Sequence, residues 1–158
     1  MPTQQPPGLD ADRTERNLDE GLNHVISEIA RTDSKAGLLL ALDGVLAAAV
    51  AILAQAQDVS LPVITPVAGL LLAATLLAVL VVRPHILGGD RSDRAFYARW
   101  AACSPTELRA ELITDRRLDR LRVLSALCHR KMILLRWASD LTIAALTALA
   151  AAALIIAA

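Results

Sequence analysis

Three long runs almost without charge constrain the fold of this chain more than anything else in it. Ala36 to Ala54 holds one ionisable residue, Asp43, while Leu61 to Val82 and Leu141 to Ala158 hold none. At roughly 1.5 Å of helical rise per residue, each run covers about the ~30 Å hydrocarbon thickness of a bilayer. A soluble domain of 158 residues seldom gathers its apolar residues into three such blocks. Aromatic residues make up only 3%, so Ala, Leu, Val and Ile do most of the burying. The reading is an all-α integral membrane protein with three transmembrane helices and a cytoplasmic helical module.

The junction Ala30-Arg31-Thr32-Asp33-Ser34-Lys35-Ala36-Gly37 marks where a charged helix meets the membrane. Before it, Leu18, Leu22, Val25, Ile26 and Ile29 recur at helical spacing, with Asp10 or Asp12 as the N-cap. This places a disordered N-terminus over residues 1–11, a cytoplasmic helix over 12–35 and the first span over 36–54. The leucines, valines and isoleucine of that span contribute roughly −4 kcal/mol of apparent insertion energy. One central aspartate costs about 2.5 to 3.5 kcal/mol, so insertion wins narrowly. The proline-rich opening lacks the pattern of a cleavable signal, so the first run is expected to remain as a span.

A short turn, 55–60, leads to the second span over 61–82, which closes at Arg83-Pro84. A cytoplasmic helical segment follows over 83–140. It begins at the flexible Gly88-Gly89-Asp90 and a short helix bearing Phe96, Tyr97 and Trp100. Ser104-Pro105-Thr106-Glu107 then has the form of a capping box, with Ser at the N-cap, Pro at N1 and Glu at N3. The helix it opens is expected to run without a break into the third span, 141–158. Leu118, Leu121, Ser125, Cys128, Met132 and Leu135 give it a heptad-like seam. Small residues at four-residue spacing, Gly37 with Ala41, Gly44 with Ala48, and Ala144, Ala148 and Ala152, suit close helix approach and a homo-oligomer.

All sixteen Lys and Arg residues lie in 1–35 or 83–137, and none lies in the turn between the first two spans. The positive-inside rule then puts the N-terminus and residues 83–140 in the cytoplasm and the C-terminus outside. The protein is expected in the bacterial inner membrane, where its first partner is the lipid bilayer.

Catalytic motifs are missing. No phosphate-binding glycine loop, nucleophile elbow or HExxH occurs. Cys103, Cys128, His24, His85 and His129 are scattered, with no metal-ligand spacing. An enzyme, a metal site and a cofactor are therefore not expected. Two features remain. Asp43 is an ionisable residue inside a span, and so a functional candidate, or it makes a structural ion pair or hydrogen bond inside the bundle, with Arg83 or Arg136 reaching in from the cytoplasmic face. Arg116, Arg117, Arg120, Arg122, Arg130 and Lys131 make the middle segment basic, for anionic lipid heads or for a phosphate-binding pocket.

Taken in order, these landmarks resemble a known family. Asp33-Ser34-Lys35-Ala36 before a span with Asp43-Gly44, Arg83-Pro84 after a second span, Tyr97 and Trp100, the capping box, and Arg130-Lys131 before a terminal span are similar to the transmembrane effectors of Pycsar antiphage systems (PycTM). The resemblance covers about residues 15 to 158. It departs where Asn is expected before the glycine and Asp43 stands instead. It implies a defence effector that responds to cyclic UMP or cyclic CMP from an adjacent pyrimidine cyclase, impairs the inner membrane and ends infection by cell death. No nucleic-acid partner is implied. Asp33, Lys35, Asp43, Arg83, Arg130 and Lys131 are the ligand-binding or gating candidates, and the cyclic nucleotide is an activating ligand rather than a cofactor. Two rivals stand beside it: a membrane effector gated by another nucleotide signal or partner, and a non-toxic membrane scaffold.

Overall fold

The computed structural model describes residues 7–55, 61–83, 103–113 and 115–157. Within them every regular element is helical: α1 (Pro7–Gln55), α2 (Leu61–Val82), α3 (Pro105–Ile113) and α4 (Arg117–Ala157). α1 and α2, together with α4, are long and apolar enough to cross a membrane. The turn at 56–60 and the expected short helix around Phe96, Tyr97 and Trp100 lie outside the described residues.

The chain forms two compact units. One holds residues 29–83 and 129–158, and the other holds 1–28 and 84–128. In the first, the buried positions of α2 are Val67, Leu71, Ala74, Ala78 and Val81, and those of α4 include Lys131, Leu135, Ala138, Thr142 and Ala145. Both series alternate steps of four and three, the spacing of knobs-into-holes packing. Ala36, Asp43, Leu46 and Val50 complete the seam from α1. Leu46, Val50, Val67, Leu71 and Ala145 form one cluster, and Ala36, Val81 and Leu135 another. Rising residue numbers on α1 meet falling numbers on α2, so these two helices are antiparallel. Contacts between α1 and α4 join residues 98, 99 and 100 apart, an almost constant offset that makes them parallel.

Lipid is as apolar as leucine, so packing between spans comes from van der Waals contact and polar bonds, not from hydrophobic exclusion. Small residues bring the backbones close enough for both. Here Ala36, Ala74, Ala78 and Ala138 are completely buried and fill that role. The glycine pairs singled out from sequence do not. Gly37, Ala41, Gly44 and Ala48 are all exposed, and a Cβ on Gly37 or Gly44 meets nothing within 4 Å. Leu38, Val45, Ile52, Leu72, Leu76 and Ile143 are likewise more than half exposed, on faces that only lipid or another protein can cover.

In the second unit, Leu22 is buried on α1, and a Cβ on Gly21 would lie 3.4 Å from the Leu121 side chain. Arg117 bonds Asp19 at 3.1 Å, across 98 residues, so α1 and α4 are parallel here too. Two expectations are corrected. The first helix starts at Pro7, not Asp12, so residues 7–11 are helical and Asp10 and Asp12 lie inside the helix rather than capping it. Proline at its first position lacks an N–H that would have no intrahelical partner anyway. The long helix expected from Pro105 is instead two helices, α3 and α4. Asp115 accepts the Arg117 backbone N–H at 3.0 Å and grips the same guanidinium. That local bond offers the backbone an alternative to continuing the helix.

The capping box forms as its four residues predict. Ser104 donates its N–H to Glu107 Oε2 at 2.8 Å, and the Glu107 N–H returns to Ser104 Oγ at 3.4 Å.

Candidate functional site

Asp43 sits at a seam position of α1 and is 2% exposed. The same heptad spacing that buries Leu46 and Val50 turns Asp43 inward. Its partners are hydroxyls from two other helices. Thr75 of α2 donates to Oδ2 at 3.3 Å, and Thr142 of α4 bonds Oδ1 at 2.8 Å. Three helices thus meet through one carboxyl group. Thr142 is 3% exposed, and its Oγ1 also lies 3.1 Å from the Ala138 carbonyl one turn back. Other hydroxyls of α4 stay local: Ser139 donates to Leu135 O and Thr147 to Ala144 O. Thr142, at a buried seam position, instead reaches a second helix.

The expected arginine partners are absent from this contact. Arg83 and Arg136 are both exposed, and hydroxyls take the place given to them. Geometry explains the difference. Arg83 follows the last residue of α2, and its backbone N–H closes on Val79 O, while Arg136 falls off the buried series of α4. Neither threonine was singled out from sequence. The available signal was register: Thr142 continues the four-three series of Leu135 and Ala138.

A second polar contact lies about 15 Å back along α1, ten residues at the helical rise. Lys131, only 7% exposed, donates to Asp33 Oδ1 as an ion pair between α4 and α1. Beside it, Thr32 Oγ1 donates to Met132 Sδ at 3.4 Å. Of the six sequence candidates, then, Asp33 and Lys131 are brought together and Asp43 stands apart from them. Lys35, Arg83 and Arg130 are exposed.

In the other unit, Arg117 faces three carboxylates: Asp115 at 2.9 Å, Asp19 at 3.1 Å and Glu15 at 3.9 Å. Arg117 beside it holds the Asp115 carboxyl below the ordinary carboxylate range, first through its side chain and then through its backbone N–H. The Ser104 N–H, then its hydroxyl, does the same to Glu107. His24 and His129 are exposed and His85 is outside the described residues. Among the described residues, no His, Cys, Asp and Glu cluster has metal-ligand geometry.

What this arrangement does is hold helices in register through a few polar bonds, each of which a small displacement would break. Spans of apolar residues joined by hydroxyl–carboxyl contacts, continuous with charged helical segments, define a helical membrane protein. More particularly, the chain belongs to the Pycsar effector protein domain family, PycTM, whose model matches residues 17–158. No curated protein and no solved structure matches it. Membership makes it an antiphage defence effector at a membrane, working beside a cyclic-nucleotide cyclase system.

Proposed function

We propose that this effector responds to a cyclic pyrimidine mononucleotide, cyclic UMP or cyclic CMP, by impairing the bacterial inner membrane, so that the infected cell dies. It does so without catalysis. The distribution of Lys and Arg supports an orientation with the N-terminus and residues 83–140 in the cytoplasm and the C-terminus outside.

The observation that carries this reading is helix continuity. α1 is a single helix from Pro7 to Gln55 and α4 a single helix from Arg117 to Ala157, each passing from a charge-rich stretch into an apolar one. A ligand that favours one arrangement of the charged stretches therefore has two stiff levers on the spans. Its leverage is limited to its differential affinity for the two states. Lys35, Arg83 and Arg130 are the exposed cations proposed to attract the nucleotide phosphate, whereas Lys131 is committed to Asp33. Copies of the chain assemble in this reading, and the outward stripe of Gly37, Ala41, Gly44 and Ala48 supports such a contact.

Membrane potential tests the reading directly. Cells expressing the protein are loaded with a potential-sensitive dye, and each nucleotide is generated in turn by a co-expressed cyclase. Depolarisation with one nucleotide and not the other is the expected result. Unchanged potential with both, in a well-inserted protein, would leave a scaffold role as the better account.

A further inference from the structure

We propose that the face of α4 carrying Arg136, Asp140 and Thr147 is where copies of this chain meet inside the membrane. α4 packs against α1 at a steady offset: Thr142 bonds Asp43, and Leu135 clusters with Ala36. Asp140 is therefore level with Ala41. That is five residues past the start of the uncharged run of α1, or ~8 Å at the helical rise. α2 agrees, because Thr75 meets Asp43 and seven more uncharged residues precede Arg83. Charge alone starts the third span at Leu141, whereas packing sets Arg136 and Asp140 beside the first two spans.

Both residues are exposed, and among the described residues neither has a hydrogen-bond or ion-pair partner. At about 100° per residue, Arg136, Asp140 and Thr147 fall within roughly 40° of one another. They lie on the side of α4 turned away from the buried Leu135, Ala138, Thr142 and Ala145. Arg136 is long enough to bring its charge back to the headgroups, but Asp140 is not. An ionised group within a span faces another helix or a water-filled cavity, not hydrocarbon. Lipid is the wrong neighbour for this face.

A second copy is the right one. Copies inserted the same way up place each Arg136 one helical turn, ~6 Å, from the level of a neighbour's Asp140. A flexible arginine side chain spans that distance, so the face is complementary to itself. Thr147 continues it deeper, with its hydroxyl satisfied by Ala144 O and a small profile that suits close approach. This contact rests on the effector reading in one respect, that copies of the chain assemble.

Cysteine cross-linking of the full chain in bacterial membranes tests the contact, with Cys103→Ser and Cys128→Ser removing the native thiols. Ile143→Cys or Thr147→Cys should give an oxidised dimer in several-fold higher yield than Leu76→Cys, an exposed position of α2. Adding Asp140→Lys to Thr147→Cys should lose most of that dimer. Arg136→Asp on top should restore it, since the charges are then exchanged. Membrane extraction checks that each variant is inserted. If Ile143→Cys and Thr147→Cys cross-link no better than Leu76→Cys, or join only other proteins, the proposal is overturned. A dimer indifferent to Asp140→Lys overturns it equally. A dimer through Gly44→Cys alone would keep assembly and move it to α1. No dimer from any position would remove assembly from the functional reading as well.

Discussion

Asp43 on α1 and Thr142 on α4, 99 residues apart in the chain, meet at 2.8 Å in the interior of three packed helices. This contact fixes the register of two parallel helices that have no direct loop between them. It is the kind of bond on which a membrane bundle depends. Apolar surface gains nothing by leaving lipid, so directional contacts discriminate between one packing and the next.

Removing that hydroxyl tests its weight. Thr142→Val keeps the shape and leaves Asp43 short of a partner, at an expected cost of about 1 to 3 kcal/mol. Thr75→Val, which gives up a 3.3 Å bond, should cost less, about 0.6 kcal/mol, typical of hydrogen bonds between spans. Unfolding in mixed micelles would rank the two. Equal losses would mean that Asp43 relies on both hydroxyls alike.

The ion pair of Lys131 with Asp33 is asymmetric, because the lysine side chain is 9% exposed and the aspartate 37%. Asp33→Asn therefore strands a buried ammonium. Removing one partner of a fully buried pair costs about 3 to 5 kcal/mol, and the half-open aspartate should bring this nearer 2. Asp33→Asn combined with Lys131→Met should recover part of the loss. A double-mutant cycle on thermal stability measures it, with simple additivity as the outcome against the pair.

Acid should loosen α3, which Glu107 caps, and the start of α4, which Asp115 holds. Glu107 and Asp115 both have carboxyls held below their ordinary values of 4.5 and 3.8. The stabilisation they give is present above those values and lost as pH falls through the lower values of the folded state. Amide exchange across Pro105–Ile113 should accelerate in that acid range. Ser104→Ala should accelerate it at neutral pH as well, by about 1 kcal/mol of lost capping.

Glycine substitutions separate inward from outward faces of α1. Gly21→Ala places a methyl at 3.4 Å from the flexible Leu121 side chain and should stabilise the helix by about 0.5 to 1 kcal/mol. Gly44→Leu adds bulk where nothing lies within 4 Å, so stability within one chain should not fall. If copies pack through that stripe, the same variant should weaken nucleotide-triggered depolarisation, and cross-linking between copies should fall with it.

The helical class, the three spans and the capping box are legible in the amino-acid sequence alone. Each of these is written locally, in runs of uncharged residues or in four consecutive residues whose side chains reach only their own turn. It also marked Asp43, Asp33 and Lys131 as unusual, because charge is conspicuous near or within lipid. What those groups touch is set by how the helices pack. Whether Asp43 meets Arg83, Arg136 or a threonine depends on which face of α2 and α4 turns inward, and that follows from the register of alanines and leucines across separate helices. The outward turn of Gly37 and Gly44 was hidden for the same reason: in an alanine-rich helix several faces carry small residues, and packing selects one. At the start of α4, Asp115 takes the Arg117 N–H and guanidinium together, a local bond that competes with continuing a helix and that the heptad pattern does not announce. Local propensity names the elements, and the long-range fit of small side chains chooses the contacts.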